Sequence, residues 1–384
     1  MTYLRPDLAD IVLSCGSSVA VVGMAKNCGK TVTLGAIVAS AAARGITVGV
    51  ASAGRDGEEA DVVTMLPKPP ILLPGGALVA TAEKLAPRAQ ASLEPVAMTR
   101  HASALGRLVV YRVRSAGAVE VAGGNNALAA SDAVTIMRRL GARFVAIDGA
   151  AGRRFSCAPS LVEATVLATG AVLAETMEGV VRRTAYAVDA LTTAEWESPL
   201  RECVRAEELS HRDVLLFDTR GEVRRLTVHS VLLRTDEIAQ AIVGGVDTIL
   251  LGGALTGSFV RALSRHGSAS GLTVVVRDAT RILAGLGDLV RFWSRGGQVA
   301  VMHPVRLVSV TTNPAAPDGR LFDPRAFLDR TARALAPIPV FDVVAREARN
   351  VPGRDGAEPA PREGIACSRC LHAGVEAPGE GGVA

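Results

Sequence analysis

The run Val19-Ala20-Val21-Val22-Gly23-Met24-Ala25-Lys26-Asn27-Cys28-Gly29-Lys30-Thr31 constrains the fold more than any other part of the chain. A short apolar segment enters a loop bounded by Gly23 and Gly29. Lys30-Thr31 follows, then Val32 to Ala43, nearly free of polar side chains and stopped by Arg44-Gly45. That order predicts strand, loop and helix. The chemistry suits a phosphate. Glycines let backbone N–H groups turn toward an anion, the helix N-terminus adds a favourable dipole, Lys30 supplies a cation, and the Thr31 hydroxyl can ligate magnesium. Gly23, Lys26, Asn27, Cys28, Gly29, Lys30 and Thr31 are the expected binding set. Five residues separate the two glycines, where the commonest loop of this kind has four; Met24 stands where the first glycine would fall. A chance Gly-Lys-Thr at a helix start is the plain alternative.

The chain has 384 residues, room for two domains of ordinary size. Hydrophobic residues make up 49% and aromatics only 3%, so the expected core is Ala, Val and Leu. A net charge of +4 is too small an excess to argue for nucleic acid, and no basic run is interleaved with aromatics. The lysines are Lys26, Lys30, Lys68 and Lys84, two of them inside the loop. A base-composition bias toward Arg codons accounts for the arginine excess. Met1 to Asp10 is polar, and no run reaches the ~18 apolar residues of a membrane helix. The nearest approach, Leu161 to Ala174, is interrupted by Glu163. Six scattered cysteines do not form a disulfide framework, so a cytoplasmic location is expected, with no membrane contact.

Along the chain, Leu8 to Leu13 reads as a lead-in helix and Ile46 to Ser52 as a second strand. Two strands joined by a helix form a βαβ unit, which predicts a parallel sheet. Ile71 to Leu73, between prolines, reads as part of a loop over the sheet. Ala77 to Leu85 reads as helix, Leu108 to Arg114 and Val119 to Ala122 as strands, and Ala127 to Leu140 as helix. Leu161 to Leu167 is the next strand and Glu175 to Thr192 the next helix. After a mixed, charged stretch near Thr193 to Arg212, a second α/β stretch begins. Val214 to Phe217 and Val223 to Val228 read as paired strands. Asp247 to Leu251 and Leu272 to Arg277 follow as strands, and Val305 to Thr312 and Ile338 to Val344 as later ones. The helix Pro324 to Leu335 has Asp323 as its cap. The expected fold is α/β, a mostly parallel sheet flanked by helices, with a second α/β region and a disordered C-terminal tail. The expected domains are residues 1–195, residues 196–347 and the tail 348–384. The second of these either stands alone or completes the first sheet.

Two further stretches carry chemistry. Arg143-Phe144-Val145-Ala146-Ile147-Asp148-Gly149 is an apolar strand ending in an acid, and Asp148 at its tip can hold magnesium opposite Thr31. Gly54-Arg55-Asp56-Gly57-Glu58-Glu59-Ala60-Asp61, at the end of the second strand, is a place for metal or switch chemistry. Asp56 is the expected metal or water contact, with Glu58, Glu59 and Asp61 behind it; a solvated turn is the alternative. Arg153 and Arg154 follow Asp148 closely and are placed to touch phosphate or a partner, with a solvated turn the preferred reading. Asn313, at a strand end, is an expected adenine contact, or else a turn cap. The Gly252 to Gly257 turn can receive an anion or serve packing alone. Cys367 and Cys370 with His372 offer at most three ligands, fewer than zinc wants, and no metal ligand is assigned there.

The Gly23–Thr31 loop and the Asp148-Gly149 strand end together resemble the P-loop class that includes dethiobiotin synthetase, cobyrinic acid diamide synthase and the ParA/MinD group. The Ile338-Pro339-Val340 strand is similar to the closing strand of that class. The ParA/MinD signature lysine would fall at Ala25, which argues against that branch. A narrower resemblance is to the reactivase encoded with adenosylcobalamin-dependent lysine 5,6-aminomutase. It is carried by Val22 to Thr33, by Ser52-Ala53-Gly54-Arg55-Asp56-Gly57-Glu58-Glu59 and by Ala77-Leu78-Val79-Ala80-Thr81-Ala82. Weaker similarity runs through Gly253-Ala254-Leu255, Asn313-Pro314 and Pro339-Val340-Phe341-Asp342, covering most of residues 15–345. The resemblance implies a P-loop NTPase that binds ATP and Mg2+, with Lys30, Asp56 and Asp148 catalytic and Thr31, Asp56 and Asp148 at the metal. It implies an ATP-driven factor that reopens a cobalamin enzyme after its cofactor is damaged. The alternative is an ATP-dependent ligase or kinase acting on a small carboxylate. A GTP-dependent protein is a third possibility, but no Asn-Lys-x-Asp guanine motif occurs. The expected partner is a cobalamin-dependent enzyme or another protein, and homo-oligomerisation is left open.

Overall fold

Both flanks of the loop segment form as their composition demands. In the computed structural model, which describes residues 7–53, 70–124, 126–149, 154–204, 209–230, 234–242, 245–265 and 269–351, the chain begins with α1 (Leu8–Ser14), β1 (Ser18–Gly23), α2 (Lys30–Ala43) and β2 (Val48–Ala53). It continues with β3 (Ile71–Leu73), β4 (Leu78–Ala82), β5 (Ser92–Ser103), β6 (Gly106–Ser115), β7 (Gly117–Val119), α3 (Ala127–Arg139), β8 (Phe144–Gly149), β9 (Ala164–Gly170) and α4 (Met177–Leu191). β10 (Asp213–Asp218), β11 (Val223–Thr227), α5 (Thr235–Gln240), β12 (Val246–Leu251), α6 (Gly257–Arg265), β13 (Thr273–Val276), α7 (Leu286–Trp293) and β14 (Gln298–Val301) follow. The last elements are β15 (Leu307–Asn313), α8 (Pro324–Leu335), β16 (Val340–Asp342) and β17 (Glu347–Arg349). Asp56, Glu58, Glu59, Asp61, Lys68, Arg153, the Arg154 side chain, Cys367, Cys370 and His372 lie outside the described residues, as does the expected tail beyond Val351.

The described residues divide into two units, one holding those up to Val188 and from Val305 onward, the other Asp189–Pro304. The first unit is built on a ten-stranded sheet in the order β17-β16-β15-β9-β1-β8-β2-β4-β6-β5. From β16 to β4 every neighbouring pair is parallel; β17, β6 and β5 join antiparallel at the edges. Central strands buried on both faces need cover on both faces, and β1, β2 and β8 are buried at every residue. Val48 and Val50 of β2 join Leu34, Ile37 and Val38 of α2 in one apolar cluster. Gly49 between them faces Met137 of α3, whose Sδ lies 3.0 Å from where a Cβ would stand. Consecutive strand residues point to opposite faces, so α2 and α3 cover opposite sides of the sheet.

α2 ends as its sequence asks. Gly45 takes φ +71, its N–H donates to Ala42, and the Ile46 N–H donates to Ala41. That is the paired 6→1 and 5→2 closure of a helix on a left-handed residue, and Ile46 then packs on the core.

Three segments differ from the sequence expectation. Residues 77–85 were expected to be helical, but Leu78–Ala82 is strand β4, and a short 3-10 turn, Glu83–Arg88, follows. All five β4 residues are buried between β2 and β6, and burial on both faces overrides the weak helix preference of an Ala-containing run. β5 was not expected at all. It is an edge strand of mixed polarity with Pro95 and three register irregularities, features that mask its period. Ile71–Leu73, expected as loop, pairs with Gly117–Val119 as the two-stranded β3-β7 sheet.

The second unit has a separate five-stranded sheet, β11-β10-β12-β13-β14. β12, β13 and β14 are parallel, and β10 and β11 pair antiparallel. Trp196 and Phe217 meet in its core with ring centroids 5.5 Å apart. Residues from β15 onward, expected within the region 196–347, belong to the first sheet, and β17 carries strand structure past residue 347. Among the described residues no helix is long and apolar enough to cross a membrane.

Candidate functional site

The loop after β1 sits at the carboxyl end of the parallel sheet, where open α/β sheets place their ligands. Its backbone is held from one side by β9 and β15. The Met24 N–H donates to Ala168 O at 3.0 Å, extending the β1–β9 ladder by one residue. The Asn313 amide Nδ2 donates to Asn27 O at 2.9 Å. Asn27 is left-handed at φ +62 and Gly29 at φ +90. Cys28 between them is buried, and its Sγ lies 2.7 Å from where a Cβ on Gly23 would stand. The thiol therefore fills the space that the first loop glycine leaves. The Lys26 and Asn27 side chains are exposed.

Lys30 opens α2. Its ammonium donates to Gly149 O at 2.7 Å and lies 3.2 Å from Asp148 Oδ1. The Asp148 side chain is only 2% exposed, that of Lys30 18%. β8 lies beside β1 in the sheet, with Val21 opposite Asp148 and Val22 opposite Gly149. That register sets the strand's acidic tip next to the loop. Thr31 is the next residue of the first helical turn, half-buried. No side chain caps α2, whereas Asn126 caps α3 and Asp323 caps α8. The first-turn N–H groups of α2 therefore keep an anion-binding role available, with Lys30 adding positive charge and no acid in that turn.

The structure thus brings Gly23, Cys28, Gly29, Lys30, Thr31, Asp148 and Asn313 to one end of the sheet. Asn313 stands against the loop backbone, and its Oδ1 accepts from Ala315 N at 3.2 Å. Among the described residues no group of three or more His, Cys, Asp or Glu could hold a metal. A cation at this site would draw on Thr31, Asp148 and the ligand's own oxygens. The donors are hard oxygens, which fit magnesium.

Two contributors were missed in the sequence. Thr33 Oγ1 and Thr311 Oγ1 are 2.9 Å apart and buried, tying the first turn of α2 to β15. Gly170, at the end of β9, lies under the loop; a Cβ there would stand 3.3 Å from Cys28 Cα. A threonine in an otherwise apolar helix face was the visible signal for the first; the glycine had none. In the second unit, glycines of the Gly252 to Gly257 turn serve packing: a Cβ on Gly252 would stand 2.0 Å from Ser210 O, and one on Gly257 2.3 Å from Asp288 Oδ2.

No protein-family model matches the chain, and no curated protein or solved structure is significantly similar to it.

Proposed function

We propose that the chain binds ATP with Mg2+ through Gly23–Thr31 and hydrolyses it to ADP and phosphate. The observation that supports this most is the joint placement of an uncapped helix N-terminus, Lys30 and the buried Asp148 at the carboxyl end of adjacent parallel strands. In this reading backbone N–H groups of the loop and of the first turn of α2 hold the phosphates, and Lys30 leaves Asp148 to neutralise them. Thr31 and Asp148 hold the metal, which when bound supplies charge neutralisation for phosphoryl transfer. Asp56, outside the described residues, is the sequence's candidate for a further metal or water contact.

The sequence resemblance supplies the output. Hydrolysis drives a change in a protein partner, an adenosylcobalamin-dependent aminomutase whose cofactor needs exchange. The test is ATP turnover by the purified chain, with and without such an enzyme, alongside the Lys30→Ala variant. Slow basal hydrolysis, stimulated by the partner and absent in the variant, is expected. Wild-type ATP affinity and turnover in Lys30→Ala would overturn the nucleotide reading. Fast turnover of the chain alone on a small carboxylate would replace the partner-driven output by a ligase or kinase.

A further inference from the structure

We infer that Asn313 is a positioning residue of the phosphate-binding loop, one that sets affinity for the phosphate chain rather than for the base. This rests on the reading that Gly23–Thr31 binds phosphate.

Asn313 ends β15 and stands opposite Gly170, the last residue of β9. Its amide is oriented from both ends. Nδ2 donates to Asn27 O at 2.9 Å, and Oδ1 accepts from Ala315 N at 3.2 Å. A flipped amide would set two acceptors against each other and two donors against each other, so the network fixes which atom meets the loop. The contact is also steric. A Cβ on Gly29 would lie 3.2 Å from Asn313 Cβ, and one on Gly170 3.1 Å from Asn313 Cβ and 3.3 Å from Cys28 Cα. The loop backbone at Cys28 and Gly29 therefore rests directly on the ends of β9 and β15, at positions where glycine permits close approach.

What is held matters for anion binding. Asn27 and Gly29 are both left-handed, with φ +62 and +90, and flank the buried Cys28. Such backbone turns are what bring successive N–H groups to face one anion. Asn27 is a non-glycine residue in that region, and its carbonyl is the atom that Asn313 grips. Releasing the grip frees the loop to leave this conformation. The loss would then fall on every ligand that presents phosphates, whatever base it carries. A direct base contact would behave otherwise, since its loss spares a ligand with no base.

The test is calorimetric binding of ATP, GTP and inorganic tripolyphosphate, each with Mg2+, to the full chain and to Asn313→Ala. Asn313→Leu, similar in size, uncharged and lacking the Nδ2 donor, serves if the alanine variant does not fold. All three ligands are expected to lose about tenfold in affinity, the order of one lost hydrogen bond. The thermal midpoint should stay within a few degrees of the wild type. A loss confined to ATP, with tripolyphosphate unchanged, would overturn the inference in favour of a base contact. Unchanged affinity for all three ligands would overturn it outright. Failure of the wild-type chain to bind either ATP or tripolyphosphate would instead overturn the phosphate reading on which it rests.

Discussion

The Lys30 ammonium and the buried Asp148 carboxylate lie 3.2 Å apart, so the cation of the loop is docked on the tip of β8. A carboxylate with 2% exposure depends on such a neighbour far more than a surface acid would. Lys30→Met should therefore destabilise the first unit by about 1–3 kcal/mol. The double variant Lys30→Met/Asp148→Asn should be more stable than the sum of the single effects requires, because the carboxylate no longer needs its partner. Urea denaturation of the four proteins checks this. Strict additivity would show that the pair is not coupled.

Asp148→Asn separates the acid's two roles. The amide keeps the shape of the strand tip and leaves Lys30 its bond to Gly149 O, but it cannot neutralise a divalent cation. On the ATP reading, turnover with Mg2+ should fall by about 100-fold or more, in line with losing one charged contact to a phosphoryl-transfer centre. Nucleotide affinity should change much less. Unchanged magnesium dependence of hydrolysis would remove Asp148 from the metal site.

Much of this end of the sheet was legible because its signals are local. An apolar run before Gly23, a lysine and a threonine after Gly29, and an acid closing the run 143–148 each announce an element without reference to the rest of the chain. What was not legible depends on distant partners. β4 is a strand because β2 and β6 pair with both its edges and all five of its residues are buried, not because Leu-Val-Ala-Thr-Ala prefers one. The bond from Asn313 to the loop joins residues 286 apart in sequence. The same distance hid the Thr33–Thr311 hydroxyl pair, 278 residues apart. β9 and β15, the strands that support the loop, stand on either side of the inserted second unit in the chain order, so the site's assembly waits for the chain to return.

Gly170→Ala tests that support from below. The added Cβ would meet Asn313 O at 3.0 Å, Asn313 Cβ at 3.1 Å and Cys28 Cα at 3.3 Å, all backbone or Cβ positions that cannot rotate away. The loop must rise or the ends of β9 and β15 must part. A cost of about 1–3 kcal/mol in stability is expected for overpacking of this kind, together with weaker ATP binding on the phosphate reading. Wild-type thermal stability and affinity would show that the loop yields freely at this point.

Asp213 gives the second unit an acid-sensitive anchor. The Arg225 guanidinium makes two bonds to its carboxylate, at 2.6 and 3.1 Å, and the Ser210 N–H and Thr227 hydroxyl add two more at 2.8 and 3.1 Å. The Arg225 bonds, against the opposing effect of burial, hold this carboxyl well below the usual range. A carboxyl depressed on folding contributes stability fully above its unfolded pKa of about 3.9, and the contribution drains as pH falls through the folded value. The second unit should thus lose stability steadily on acidification below about pH 4. Asp213→Asn should lower stability at neutral pH and flatten that acid limb. Acid titration of the unfolding free energy, followed by Trp196 fluorescence in the core beside Phe217, reads both effects. An acid limb of unchanged slope in the variant would show that Asp213 does not carry it.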